Sequence, residues 1–299
     1  MLFLLTPGLH LLDLAGPAQV FSAAGDHGGD YRLDYVAQTP QVRSHQGVDL
    51  AARTTWPELS SRDYVVVPGW RVGAGGQARR SLPPMLREGL VGHWVAGGRV
   101  ASVCAGAFAL ADAGLLDGRR ATTHHDVQAE LARAYPQVDV VRDVLHVSDG
   151  RLHTSAGVAS GMDLALHLVA MDHGPAVAAR TARSLVLAAR RNGTAPQESA
   201  MLRHRDHLAD LVHRAQDLID ERYAETLGLA DLASALGVSP RTLTRSFTAA
   251  AGLTPLRYQQ TLRLERAEAL AGQGWTQEAV ARAVGFSDAR MLRRLRAAS

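Results

Sequence analysis

The chain has 299 residues, a formal net charge of +3 and a single cysteine. That length suits two domains, each large enough for its own core, and one cysteine excludes an intrachain disulfide and fits a reducing compartment. No apolar run reaches the roughly 20 residues that span a bilayer, so membrane partners are excluded and a cytoplasmic location is expected.

In chain order, Met1 to Leu5 reads as a buried strand, because it lacks a basic flank and runs straight into Thr6-Pro7-Gly8. Leu11 to Pro17 opens a helix reaching about Ala24. Strands are then expected at Leu33–Ala37, Tyr64–Val67, Val100–Val103 and Ala121–Thr123, and helices at Met85–Val95, Phe108–Leu115 and Val127–Tyr135. This alternation predicts a largely parallel sheet with helices on both faces. Val138–Val141 and Val144–Val147, then Asp149-Gly150 and Arg151–Thr154, read as an antiparallel excursion closed by a hairpin. Helices at Met162–Met171 and Ala176–Ala189 finish a first domain, 1–190. Residues 191–205 lack apolar periodicity and read as a linker. A helical domain, 206–299, follows, with a first helix striped by Leu208, Leu211, Val212, Ala215, Leu218 and Ile219 and a long helix at Leu256–Leu270.

Within that second domain one pattern is written twice. Leu232 to Phe247 (LASALGVSPRTLTRSF) and Val280 to Leu295 (VARAVGFSDARMLRRL) superpose without a gap, matching Gly237 with Gly285, Ser239 with Ser287 and Arg245 with Arg293. Each copy reads as helix, glycine turn, helix. Ser239 and Ser287 stand where N-caps belong, with Pro240 at a first helical position and Asp288 where the helix dipole favours negative charge. The second helices are expected to bury Leu243 with Phe247, and Met291 with Leu295. That leaves Arg241, Thr242, Thr244 and Arg245, then Arg290, Arg293 and Arg294, outside. A capped second helix with outward arginine and threonine is the shape that enters a DNA major groove, and two of them should enter successive grooves about 34 Å apart. All 32 basic residues are arginine, which reads as a composition bias; arginines and acids balance over 1–190, but arginines exceed acids over 239–299, where phosphate contacts need them.

The first domain carries its own chemistry. Val100 to Phe108 is a strand, a sharp bend and a helix start, with Cys104 at the bend, where a helix dipole can lower a thiol's pKa. His124, after Thr122-Thr123, and Asp13, after the first strand, reach the same carboxyl-end edge of the sheet, where open α/β sheets bind ligands. Gly69, after another strand, can offer a backbone N–H to an anion. Each residue also has a plainer reading: a small buried thiol, a strand-end histidine. The histidines show no metal-ligand spacing such as HExxH, so no metal and no cofactor is expected.

These residues and motifs, LLDLAGPAQVF (11–21), VVVPGW (65–70), SVCAGAFALADAGLLDGRRATTHH (102–125) and TSAGVASGMDLALHLV (154–169), resemble the PfpI/ThiJ superfamily, with its class I glutamine amidotransferase-like, flavodoxin-like three-layer α/β sandwich. The chain from about Asp206 resembles an AraC-type DNA-binding domain, all-α with two helix-turn-helix units. The pairing is that of GlxA-like transcriptional regulators. The resemblance implies that Cys104 stands at the nucleophile-elbow position, His124 at the family's histidine and Asp13 at its acidic position. It also implies a small-molecule effector, double-stranded DNA and a second copy of the chain as partners. LLDLAGP resembles the isonitrile hydratase and GlxA-like branch, so two readings stand: a regulator whose first domain senses a metabolite without turning it over, and a Cys104-dependent hydrolase or hydratase with a vestigial DNA-binding tail. AraC-type domains usually continue into a short final helix where this chain stops at Ser299, and they usually carry aromatics where Met291 and Leu295 stand. The second unit is therefore expected to be clipped.

Overall fold

The strand that opens the chain, β1 (Leu2–Leu4), is buried on both faces, as its unbroken apolar run requires. The structure, a computed structural model, describes residues 1–72, 78, 80–187, 193–195, 197, 204, 207, 209–271 and 275–297. Two folded units divide the chain, Met1–Gln197 and Glu198–Ser299.

In the first unit, α1 (Leu11–Gly25) leads to β2 (Asp34–Val36), and a small hairpin of β3 (Gln41–Arg43) and β4 (Asp49–Ala51) follows. Then come β5 (Tyr64–Val67), α2 (Pro84–Val95), β6 (Arg99–Val103), α3 (Gly106–Asp112), β7 (Arg120–Ala121), α4 (His125–Ala134) and β8 (Asp139–Val140). The unit closes with β9 (His146–Asp149), β10 (Leu152–Ser155), α5 (Ser160–His173) and α6 (Pro175–Ser184). Six strands form one sheet in the order β2-β1-β5-β6-β10-β9, parallel except for β9 against β10. With its flanking helices this is the flavodoxin-like sandwich the sequence implied. From β1 the chain first builds outward to β2, then returns to place β5 on β1's other side. The order therefore reverses between β1 and β5, and the carboxyl ends of strands at such a switch point form the ligand crevice of open α/β sheets.

Four readings of local structure change. The run 138–147 is not one antiparallel excursion. Asp143 adopts a left-handed backbone (φ 50), which aspartate tolerates better than most residues. It breaks the run, so that β8 pairs in parallel with β7 outside the main sheet while β9 joins β10. The strand expected at Ala121–Thr123 is cut to β7, because α4 begins at His125. Helix α6 ends at Ser184 in a left-handed turn at Val186 (φ 55), closed by Leu187 N donating to Ala182 O; residues 188 and 189 lie outside the described set. The first unit also runs past the expected boundary at 190. Gly193 O and Ala195 O accept the Leu145 amide, and the Gln197 side chain donates to Thr123 O and Val144 O. Of the segment expected to link the domains, 191–192, 196, 198–203 and 205 lie outside the described residues.

The second unit is all α: α7 (Asp210–Glu221), α8 (Leu229–Ala235), α9 (Pro240–Ala251), α10 (Pro255–Ala271), α11 (Gln277–Ala283) and α12 (Ala289–Ala297). It holds two cores. Val212, Leu232, Leu243, Phe247 and Tyr258 fill one, and Ala267, Leu270, Val280, Val284 and Leu292 the other, so that α10 serves both. Burying side chains of this size contributes about 1.5–3 kcal/mol each, which gives each helix-turn-helix its own hold on α10.

Candidate functional site

Cys104 sits in a left-handed backbone (φ 55) between β6 and α3, a conformation that costs a non-glycine residue of order 1–3 kcal/mol. Its neighbours hold it there. Cys104 N donates to Ser155 O at 3.0 Å, and the Thr123 hydroxyl donates to Cys104 O at 2.8 Å. Gly157 (φ 99) packs its α-carbon directly on the Cys104 side chain, where no β-carbon fits.

Asp13 enters from the first turn of α1 and is fully buried. Its Oδ1 accepts the Val158 amide at 2.6 Å, while Oδ2 lies beside the thiol and meets no donor of hydrogen-bond geometry. Burial pushes the Asp13 carboxyl up to about 6, against the Val158 amide and the thiol. Burial, and then the Asp13 charge, push the Cys104 thiol well above its ordinary value. The Ala105 amide pulls the other way and is outweighed. The expected lowering of the thiol pKa at the helix start is therefore reversed: desolvation of the thiolate exceeds what one backbone donor returns.

Gly69 occupies the centre of this cluster. A β-carbon there would lie 2.7 Å from Asp13 Oδ2 and from Cys104 Cβ, and 2.8 Å from Ala105 N. Its carbonyl accepts the His10 amide. Its contribution is to let the β1, β5 and β6 ends close on one another.

His124 is the N-cap of α4, not a strand end: its Nδ1 accepts the Asp126 amide at 3.4 Å. It lines a cavity of about 170 Å³ with His125, Leu145, Gly157, Ser160 and Gln197. Cys104 is not among the residues of that wall; Gly157 stands over it. The structure thus joins Asp13, Gly69 and Cys104 in one buried cluster and puts His124 on the adjoining cavity. Val158 and Gln197 escaped the sequence reading, the first because nothing marks a valine as a backbone donor, the second because it lay in a stretch without periodicity.

In the second unit, Ser239 caps α9 as expected, its Oγ accepting the Thr242 amide at 3.1 Å and pairing with the Thr242 hydroxyl at 2.9 Å. Ser287 does not repeat this. Asp288 Oδ1 accepts the Arg290 and Met291 amides at 2.8 and 3.0 Å, so Asp288 is the cap and α12 starts one residue later than the gapless repeat requires. One residue turns a helix by about 100°. Met291 is accordingly 46% exposed and Leu292 is buried in the place of Leu243. Arg290 and Arg294 therefore occupy the places of Arg241 and Arg245, and all four are exposed. Arg293, also exposed, takes the place of Thr244, which lines an apolar groove with Leu229, Leu232, Pro255 and Leu256.

A residue not singled out before, Arg263 on α10, ties the two helix-turn-helix halves together. Its guanidinium donates to Tyr223 O (2.6 Å), Glu225 O (2.7 Å) and Gly285 O (3.2 Å) and lies over the Phe286 ring. It counted toward the basic excess in the sequence, but its charge is spent on carbonyls.

Residues 1–171 match the DJ-1/PfpI family, and 232–297 match a helix-turn-helix domain. The chain belongs to the DJ-1/PfpI family. It is 30% identical to the HTH-type transcriptional regulator CdhR of Pseudomonas aeruginosa over 91% of this chain and 80% of that one. It is also 36% identical to an isonitrile hydratase of Pseudomonas putida over 56% of this chain and 68% of that one. An AraC family transcriptional regulator from Pseudomonas putida of known structure shares the fold (TM-score 0.52, 23% identity, 62% of this chain and 97% of that one). The fused arrangement is that of the GlxA-like, AraC-type regulators, and the protein is a DNA-binding transcriptional regulator. No helix among the described residues is long and apolar enough to cross a membrane.

Proposed function

We propose that the DJ-1/PfpI unit of this regulator binds a small metabolite without turning it over, in the cavity walled by His124, His125, Ser160 and Gln197, and that occupancy changes the affinity of the second unit for double-stranded DNA. The observation that carries this reading is the separation of thiol from cavity: Gly157 covers Cys104, whose thiol is held in its neutral form by burial and by Asp13. Arg241, Arg245, Arg290 and Arg294 supply the contacts to bases and phosphates, helped by Arg293; the Ser239, Thr242 and Ser287 hydroxyls stand at the helix starts. The regulator works as a homodimer in the cytoplasm, as the resemblance to its relatives implies.

The test has two arms. A gel shift on the protein's own upstream region should show binding that Arg241→Ala plus Arg245→Ala removes. A thermal-shift screen of small carboxylates and amines should then yield a compound that moves both the melting temperature and the gel shift, with both responses lost in His124→Ala. Binding to DNA that no stabilising compound alters would end the effector reading.

A second reading, a Cys104-dependent hydratase, draws on the strained elbow and on the isonitrile hydratase relative. It requires turnover of an isonitrile or amide that Cys104→Ala abolishes.

A further inference from the structure

The histidines showed no ligand spacing in the sequence, yet three consecutive side chains at the start of α4 converge. A ring nitrogen of His124, a ring nitrogen of His125 and a carboxylate oxygen of Asp126 all lie within 4.8 Å of one another. The carboxylate stands between the two imidazoles, with Oδ2 3.5 Å from His124 Nδ1 and Oδ1 3.1 Å from His125 Nδ1. The rings lie beside each other, centroids 4.2 Å apart and planes 31° from parallel.

We propose that His124, His125 and Asp126 form a site for a divalent transition-metal ion of the zinc type, on the rim of the first unit's cavity. Zinc bonds of about 2.0–2.1 Å to nitrogen and oxygen in a tetrahedron set its ligand atoms about 3.3 Å apart, and each nitrogen–oxygen separation, one to each oxygen of the Asp126 carboxylate, lies close to that distance. The cap hydrogen bond fixes the tautomer of His124, because Nδ1, which accepts the Asp126 amide, carries no proton; an ion bound there would displace that amide. That is the tautomer a metal bound at Nδ1 takes. His124 and His125 both line the cavity, so the site borders it.

Two features set the strength and selectivity. The three donors lie at the positive end of α4, which opposes a cation there; the Asp126 carboxylate offsets it. With only three protein ligands on the rim the site holds its ion reversibly. Two imidazoles and one carboxylate favour zinc, nickel and copper over magnesium and calcium, which seek oxygen. The site stands independently of the effector reading, since it rests on these three side chains and not on any metabolite.

The test uses the untagged full-length chain, stripped with a chelator and titrated with zinc alone by calorimetry. Cobalt serves as a spectroscopic probe whose visible absorption intensifies in a tetrahedral nitrogen–oxygen site. The expected result is one zinc per chain, with affinity falling about tenfold or more in His125→Ala and again in Asp126→Asn, both at exposed positions and both checked for an unchanged melting profile. A double variant at His146 and His167, whose rings lie 4.9 Å apart elsewhere in the unit, should bind as the parent does, and magnesium should not compete. Zinc binding of equal strength in the parent, His125→Ala and Asp126→Asn would overturn the proposal. So would loss of zinc only in the His146/His167 variant, or no zinc binding by the parent.

Discussion

The carboxylate of Asp13 accepts the backbone amide of Val158 at 2.6 Å, tying the first turn of α1 to the loop that follows β10. This bond fixes the Gly157-Val158 segment, both residues of which are left-handed (φ 99 and 49), directly over Cys104. The floor of the cavity and the covering of the thiol therefore depend on one buried acid.

That dependence gives a pH signature. Burial raises the Asp13 carboxyl from 3.8 to about 6, so the folded state holds the proton more tightly than the unfolded chain. The corresponding stability is fully present below about pH 4 and is lost as pH rises through about 6, a total of about 3 kcal/mol. Asp13→Asn, which keeps an acceptor for the Val158 amide, should remove this dependence. Its melting temperature should exceed the parent's at pH 7.5 and the difference should vanish near pH 4. Equal pH profiles for the two proteins would place the acid's ionisation elsewhere.

Arg263→Ala should destabilise the second unit by about 2 kcal/mol, since it strips a charged donor from three carbonyls, those of Tyr223 and Gly285 partly buried. Chemical denaturation followed by far-UV dichroism measures this. The salt dependence of DNA binding should keep its slope in any fraction that stays folded, because Arg263 spends its hydrogen bonds on Tyr223, Glu225 and Gly285 and not on phosphate.

Gly285→Ala meets two obstacles at once: a left-handed backbone (φ 82) and the Ala224 carbonyl lying where the β-carbon must go. The conformational penalty alone is about 1 kcal/mol, and the collision adds to it. Gly237→Ala has the first obstacle (φ 71) without the second, since nothing lies within 4 Å. Thermal melts of the pair should show the larger loss at Gly285.

Cys104 should resist alkylation. With the thiol buried beneath Gly157 and its pKa raised, labelling by iodoacetamide near neutral pH should be slow in the native chain and fast after unfolding. Rapid stoichiometric labelling of the native protein would favour the enzyme reading.

The architecture was legible where one physical signal dominated. Alternating apolar runs and helical stripes announced the parallel sheet, and the elbow sequence around Cys104 placed the bend at the right residue. The exceptions share a cause. The thiol's pKa, the Asp13–Val158 bond and the role of Gly69 arise from burial and close approach between segments far apart in the chain, which no local pattern records. The second helix-turn-helix failed more narrowly. Ser287 and Asp288 both make good caps, and the gapless match to the first copy favoured the serine; the amides held by Asp288 and the burial of Leu292 in place of Met291 decide between them. Arg263 shows the limit of charge counting, because an arginine in a basic stretch can be wholly committed to carbonyls.

The most direct measurement is the ratio of affinities for a duplex selected from a random library and for its scrambled counterpart, at fixed salt, across arginine variants. The account predicts that the parent prefers its selected duplex by about a thousandfold or more. Arg245→Ala and Arg294→Ala, equivalent on their two recognition helices, should each lower that ratio by a factor equivalent to about 1–3 kcal/mol. Equal affinity of the parent for both duplexes, or an unchanged ratio in both variants, would contradict it.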